Sequence, residues 1–315
     1  MLVLSLALVL FVGLPSTEAL ADEQLVVVTW NIKWFFDDDT SDDTSNIGKG
    51  FAAPSLEEYQ ERASTVVDAI ADIDPDILAL QEMENEKVVQ DLADELASEY
   101  GLNYQVAFKQ GRDTQTGQDV AYLVRDDFSF TDQRIEYEFS GNGDFKNLSK
   151  HLLLQTTVGS EPLSLINIHL IASSPGGRIR QARTLRSWAE DLGIETENLI
   201  ILGDFNSRVA FNATTPESDT GIIRGFQTPG VGDDFFDTQQ NLVDRSTTPD
   251  GSPLDRIFLS PSLVENPNLI YLGVETREDL AIRGSKDGSG GVKYEKPVEE
   301  QDLSDHYPVV ATFSY

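Results

Sequence analysis

Asn198-Leu199-Ile200-Ile201-Leu202-Gly203-Asp204-Phe205-Asn206-Ser207-Arg208 is the stretch on which the reading of this chain turns. Leu199 to Leu202 is short and wholly apolar, as a strand buried on both faces requires. It stops at Gly203, and Asp204 and Asn206 follow at once. If the backbone stays extended, alternation puts these two side chains on the same side. A carboxylate and a carboxamide then share the end of a rigid, dry strand. Such a pair suits a metal-bound phosphate, because the acid supplies charge and the amide a hydrogen bond without more charge. Gly, Asp and Asn are also ordinary turn residues. The stretch alone therefore reads equally as a strand and a turn, and the rest of the chain has to supply partners.

Working outward, other apolar runs end the same way. Leu163 to Ile168 closes in Asn167-Ile168-His169-Leu170, and Asp76 to Leu80 closes in Gln81-Glu82. Leu25 to Val28 leads to Thr29-Trp30-Asn31. Downstream, Asp255 precedes the run Ile257-Phe258-Leu259, and Ser304-Asp305-His306-Tyr307-Pro308 leads into a last strand, Val309 to Phe313. Asp119 stands just before a strand over Val120 to Val124. Further strands are expected at Ile135 to Phe139, His151 to Val158 and Leu269 to Val274. Each polar residue alone is a plausible turn residue. Together they follow one rule: apolar strands end in Asn31, Glu82, His169, Asp204, Asn206, Asp255, Asp305 and His306. Ligand sites in sheet proteins lie at such edges.

Ser55-Leu56-Glu57-Glu58 is a capping box and starts a helix through about Ile70. A second helix is expected over Glu86 to Tyr100, closed by Gly101, and a third over Gly176 to Leu192. The third carries Arg178, Arg180, Arg183 and Arg186 before its first acid, Glu190. In so acidic a chain that cluster is either a face paired with surface acids or a contact for substrate phosphates. The polar loop Lys109 to Asp119 adds Arg112. The acidic loop 37–50 lacks EF-hand spacing and reads as solvated, and the Gly/Ser/Lys stretch 283–296 reads as a flexible loop. His151 reads as structural, and Phe235-Phe236 as core.

Leu2 to Leu14 is apolar but too short to span a bilayer, and Ala19-Leu20-Ala21 fits a cleavage site. Residues 1–21 are therefore read as a secretory signal and 22–315 as the mature domain, secreted or periplasmic, without stable membrane association. There is no cysteine, which removes disulfides, thiolate catalysis and cysteine metal sites. The net charge of −31 repels nucleic acid and anionic membranes at long range. The collected carboxylates suit a hard cation, Mg²⁺ or Mn²⁺, with Ca²⁺ also admitted. No short His-x-x-x-His spacing supports zinc, and no Gly-x-Ser-x-Gly turn supports a serine nucleophile.

Taken in order, Thr29-Trp30-Asn31, Leu80-Gln81-Glu82, Asn167-Ile168-His169-Leu170, Gly203-Asp204-Phe205-Asn206, Leu254-Asp255-Arg256-Ile257 and Ser304-Asp305-His306-Tyr307-Pro308 resemble the endonuclease/exonuclease/phosphatase superfamily. The acidic insertion after Phe36 is similar to that of exported bacterial members. The resemblance implies an α/β fold, a four-layer sandwich of two packed mixed β-sheets flanked by helices. It implies a divalent ion on Glu82 with Asn31 beside it and Asp305 as a second ligand. It also implies His306 as general base or transition-state partner, oriented by Asp255, with Asp204 and Asn206 placing water and phosphate. His169 would contact the phosphate or protonate the leaving oxygen, steadied by Asp119. Whether Asp204 or the Asp255–His306 pair takes the proton stays open.

The superfamily spans nucleases, phosphatases and sphingomyelinases, so fold does not settle substrate. The expectation is a secreted metal-dependent phosphodiesterase, an endonuclease acting on extracellular nucleic acid, with Arg112, Arg178, Arg180 and Arg183 as a basic track. The alternatives are a phosphatase or phospholipid phosphodiesterase, and a non-catalytic binding protein. The oligomeric state is left open.

Overall fold

Apart from 135–139, each apolar run read as a strand forms one, and the strands assemble into two sheets. A computed structural model of the chain describes residues 23–41, 53–113, 116–135, 148–209, 215–227, 232–281 and 302–315. The segment read as a signal, most of the acidic loop and the 283–296 loop lie outside the described residues.

The first sheet is built from β1 (Gln24–Phe35), β2 (Ile77–Met83), β3 (Tyr104–Phe108), β4 (Asp119–Arg125), β11 (Ile270–Thr276) and β12 (Val309–Ser314). Their spatial order is β11-β12-β1-β2-β4-β3. The second holds β5 (Phe130–Gln133), β6 (His151–Val158), β7 (Glu161–His169), β8 (Leu199–Asp204), β9 (Phe236–Asp237) and β10 (Asp255–Leu259). Their order is β5-β6-β7-β8-β10-β9. Each sheet contains one parallel pair, β1 with β2 and β7 with β8. Parallel neighbours need a crossover, and helices supply it. Helix α1 (Leu56–Ile73) links the first pair and α3 (Pro175–Asp191) the second. The C-terminal parts of both parallel pairs meet at one edge, where Asn31 of β1 bonds Asp204 of β8 and Glu82 of β2 lies near His169 of β7.

Alternation along the strands sorts the core into layers. Leu25, Val27, Ile77, Ala79, Leu152, Leu154, Ile200 and Leu202 pack between the sheets. Val28, Trp30, Leu78 and Leu80 face α1 and α2 (Glu86–Tyr100). Ile166, Ile168, Leu199 and Ile201 face α3. The layers run helix, sheet, sheet, helix, the four-layer sandwich expected. The α1 capping box forms in both directions, and Asp74 ends the helix in the left-handed conformation before Pro75. Gly101 closes α2 the same way. Shorter helices α4 (Asp219–Arg224), α5 (Pro261–Glu265) and α6 (Glu278–Ala281) fill connections.

Three expectations change. Of the strand expected at 135–139, Ile135 lies outside any strand and 136–139 lie outside the described residues, while an unexpected strand, β5, forms just before it and pairs with β6. The polar alternation of Phe130–Gln133 hid an edge strand that needs few apolar residues. Helix α3 starts at Pro175 and ends at Asp191, each one residue earlier than expected, with Leu192 as its right-handed C-cap. Asp37, the first residue of the acidic loop, is buried rather than solvated, because it accepts bonds from Asp39 N and Lys87 Nζ. His151 is buried, donates from Nδ1 to Leu148 O at 2.8 Å and stacks on Trp188, a structural place. Phe235 is core, and Phe236 packs on Tyr271. Among the described residues, no helix is long and apolar enough to cross a membrane.

Candidate active site

The second sheet supplies one row of side chains. His169 ends β7, Asp204 ends β8 and Asp255 begins β10. Register sets His169 opposite Asp204 on one side and Asp255 opposite Asp204 on the other. Gly203 is needed for this row: its φ is +133°, and a Cβ there would stand 2.0 Å from Ile168 O. Beyond Asp204 the backbone does not stay extended, since Asn206 has φ +49°. Asn206 N donates to Asp204 Oδ1 at 2.7 Å, and its Nδ2 to Leu170 O at 2.9 Å and Asp204 Oδ2 at 3.2 Å. The two side chains do meet, but through a turn rather than strand alternation.

The first sheet supplies Asn31 and Glu82 from a deliberate irregularity. Pairing of β1 with β2 shifts between Asn31 and Phe35. Lys33, Trp34 and Glu82 there have φ of +46°, +47° and +64°. Such conformations persist only where neighbours over-determine them. The neighbour is Arg62 of α1, buried, which donates to Ile32 O at 2.5 Å, Lys33 O at 2.6 Å and Trp34 O at 2.9 Å. The bulge turns Glu82 toward Asn31. Asn31 Nδ2 donates to Glu82 Oε1 at 3.1 Å and Asp204 Oδ2 at 3.0 Å, while its Oδ1 accepts from Lys33 N at 2.8 Å. Its amide nitrogen, not its oxygen, therefore faces the carboxylates.

The C-terminal motif closes the ring. Ser304 Oγ donates to Asn31 O at 2.6 Å and accepts from His306 N at 3.0 Å. His306 Nδ1 lies 2.8 Å from Asp255 Oδ2, which leaves Nε2 3.9 Å from Asp204 Oδ2. His169 Nε2 stands 3.5 Å from Asp204 Oδ2 and 3.8 Å from Glu82 Oε1. Asp305 Oδ2 sits 2.7 Å from Lys33 Nζ, at the rim.

Burial pushes the Asp204 carboxyl up, and Asp255 and Glu82 add to it against His306, so it reaches about 7. Burial pushes the His306 imidazole down, but Asp255 and Asp204 outweigh it and raise it to about 10. His169 is held well below the usual range by burial, Lys150 and His306. Crowded, desolvated carboxylates favour a cation. Among the described residues, two groups have ligand atoms within 4.8 Å of one another: Glu82, His169 and Asp204, and Asp204, Asp255 and His306. Oxygen-rich donors with an imidazole fit a divalent ion.

Asp119 does not reach His169. Its Oδ2 accepts from Gln110 Nε2 at 2.6 Å, and its carboxyl also takes the Gly111 N–H. His169 Nδ1 has no hydrogen-bond partner among the described residues. Asp119 instead anchors the start of the 109–119 loop, and burial raises it to about 6. The arginines divide as well. Arg178 is tied to Asp219 at 2.9 Å and to Ile171 O and Ala172 O, and buried Arg186 pairs with Asp233 and Glu190. Arg180, Arg183 and Arg112 are exposed.

Several contributors have no local signature. Gln118 Nε2 donates to Glu82 Oε2 at 2.6 Å, and its Oε1 accepts from Lys150 Nζ at 2.8 Å. Lys150 also bonds Thr116 Oγ1 at 2.9 Å and pairs with Asp113 at 3.0 Å. Beneath the site, Gln81 Nε2 donates to Asn167 Oδ1 at 2.8 Å, and Asn167 Nδ2 donates to Leu80 O and Ala121 O. Gln81 and Asn167 lie inside quoted motifs, and that position was the signal available for them. A carboxamide pair in that core ties the two sheets where the site needs them rigid.

Comparison with known proteins places these features in context. The family model described as "Endonuclease/Exonuclease/phosphatase family" matches residues 28–306. No curated protein matches. A humanized D. rerio TDP2 is 18% identical with a TM-score of 0.60, covering 93% of this chain and 99% of that one. D. rerio TDP2 complexed with single-strand DNA product is 17% identical with a TM-score of 0.58, covering 93% and 100%. A Bacteroides thetaiotaomicron mannosyl-6-phosphatase is 16% identical with a TM-score of 0.57, covering 92% and 100%. At these identities the likeness is one of fold.

Proposed function

This chain belongs to the Endonuclease/Exonuclease/phosphatase family, a superfamily of metal-dependent phosphoesterases, and on that premise we propose that it is a secreted phosphodiesterase, an endonuclease acting on extracellular nucleic acid with Mg²⁺ or Mn²⁺. The observation that carries the reading is the convergence on Asp204. Two amide donors, from Asn31 and Asn206, and two imidazoles, of His169 and His306, surround this one buried carboxylate. Export rests on the Leu2 to Ala21 segment.

The roles follow from charge and position. Asp204, its carboxyl raised by burial with Asp255 and Glu82 close by, is placed to take a proton from an attacking water. His306, near 10 and locked by Asp255, presents an imidazolium Nε2 to the phosphate and to the leaving oxygen. Paired groups pushed apart in this way mark a base and an acid. The proton thus goes to Asp204 rather than to the Asp255–His306 pair. Neutral His169 donates from Nε2 to a phosphoryl oxygen. Glu82 would hold the divalent ion, leaving Asp204 for the proton and His169 for the phosphate; the ion would supply positive charge to the phosphoryl oxygens. Arg180, Arg183 and Arg112 are the exposed cations assigned to the nucleic-acid track.

A second reading, a phosphatase for small phosphate esters, is favoured by the net charge of −31, which opposes a polyanion. The test is activity with Mg²⁺ or Mn²⁺ on plasmid DNA, bis-p-nitrophenyl phosphate and p-nitrophenyl phosphate, with EDTA and Asp204→Ala as controls. Metal-dependent nicking lost in both controls supports the endonuclease. Turnover of the small esters alone moves the assignment to the phosphatase, and inertness toward all of them sinks both.

A further inference from the structure

Lys33 and Asp305 are charged residues at this site that the roles above do not use. Lys33 Nζ stands 2.7 Å from Asp305 Oδ2, with the two side chains 25% and 34% exposed. Asp305 Oδ1 in turn lies 3.9 Å from His306 Nε2, so the ion pair forms one wall of the cleft. The backbone under Lys33 is built to place it there. Lys33 and Trp34 are both left-handed, at φ of +46° and +47°, in the stretch where β1 and β2 lose register. Asn31 Oδ1 accepts from Lys33 N, and buried Arg62 donates to the carbonyls on both sides of that amide. Two successive non-glycine residues in that region are held by their surroundings. The strand is bent so that a lysine enters a cleft of carboxylates.

Asp305 is also the one acid of the C-terminal motif that joins neither group of ligand atoms able to converge on an ion among the described residues. Its partner is already a cation. We propose that Lys33 is the resident cation of the Asp305 carboxylate, so that this chain holds a single divalent ion, on the Glu82–Asp204 side, and the Lys33 ammonium contacts the substrate phosphate from the other side. The inference rests on the metal-dependent reading above. A lysine ammonium is a compact charge with three rotatable donors, which lets it span a carboxylate and a phosphoryl oxygen. A divalent ion and an ammonium on one small carboxylate repel each other, so the lysine excludes a second ion there.

The test is Mn²⁺ titration of the purified protein followed by electron paramagnetic resonance, with thermal midpoints to confirm that each variant is folded. The wild type should bind one ion, and Glu82→Ala should lose it. Asp305→Asn and Lys33→Arg should each keep one ion. Lys33→Met should gain a second, weaker ion that the Lys33→Met/Asp305→Asn double variant lacks. At saturating Mn²⁺, Lys33→Met should also raise KM about tenfold, the worth of one charge-assisted hydrogen bond. Two ions in the wild type with one lost in Asp305→Asn, or no second ion in Lys33→Met, overturn the inference and leave the metal-dependent reading standing. No ion in the wild type, or an ion kept by Glu82→Ala, defeats that reading and the inference together.

Discussion

The Asn31 amide nitrogen lies 3.1 Å from Glu82 Oε1 and 3.0 Å from Asp204 Oδ2. One side chain of β1 thereby spaces a carboxylate of its own sheet from a carboxylate of the facing sheet. Asn31→Ala removes that donor and leaves the two acids facing each other. Its affinity for Mn²⁺ should fall about 10–100-fold, as for loss of other supporting residues around a metal. Asn31→Asp, which adds a third acid without a donor, should be less active than Asn31→Ala at pH 7. Steady-state kinetics on bis-p-nitrophenyl phosphate check the order, and equal activities in the two variants would refute the spacing role.

His306 and Asp255 are joined at 2.8 Å and act as one unit in the scheme above. His306→Ala should lower kcat about 10²–10⁴-fold, and Asp255→Asn should lower it substantially. Because residues that act together are non-additive, the double variant should be little worse than His306→Ala. Multiplying losses would show that the two side chains work independently.

Gln118 connects Glu82 to Lys150 through bonds of 2.6 Å and 2.8 Å. Gln118→Leu should weaken Mn²⁺ binding about 10-fold or more, with kcat recovered at saturating ion. A kcat that stays low at any ion concentration would mean that Gln118 does more than orient Glu82.

His151 is buried against Trp188 and held down to about 3 from an ordinary value of 6.5, by burial first and then by Arg134. Between these values the unfolded chain binds the proton that the folded chain refuses. The neutral imidazole's contribution is therefore complete above about 6.5 and is lost as pH falls toward 3. The slope is at most about 1.4 kcal/mol per pH unit. Urea unfolding from pH 7 to pH 4 should show His151→Phe losing less stability on acidification than the wild type. Parallel curves for the two proteins would assign the acid sensitivity elsewhere.

The strand ends were legible because each is a local event. An apolar run followed by Gly203-Asp204 or Gln81-Glu82 announces where burial stops and where a polar group begins. Asn31, Glu82, His169, Asp204, Asn206, Asp255 and His306 could be collected by that rule, and the structure brings their side chains to one edge. Gln118, Lys150 and Lys33 could not be collected. A glutamine before a strand or a lysine two residues past an asparagine acquires meaning only from what stands opposite. Asp119 shows the reverse error, since its place before β4 suggested a partner for His169 that the packing gives to Gln110.

By itself, the sequence determined the family, the layered α/β architecture and the strand and helix positions set by short-range patterning. Alternation, capping residues and apolar runs act over a few residues, so they survive in one dimension. Tertiary structure alone decided that Asn206 reaches Asp204 through a left-handed turn, that Arg178 and Arg186 are tied to acids while Arg180 and Arg183 stay exposed, and that Lys33 meets Asp305. It also pushes both the Asp204 carboxyl and the His306 imidazole upward, the first by burial and the second by Asp255 and Asp204. Those outcomes depend on distances between residues far apart in the chain and on how much water the packed sheets exclude, and neither quantity is written in local pattern.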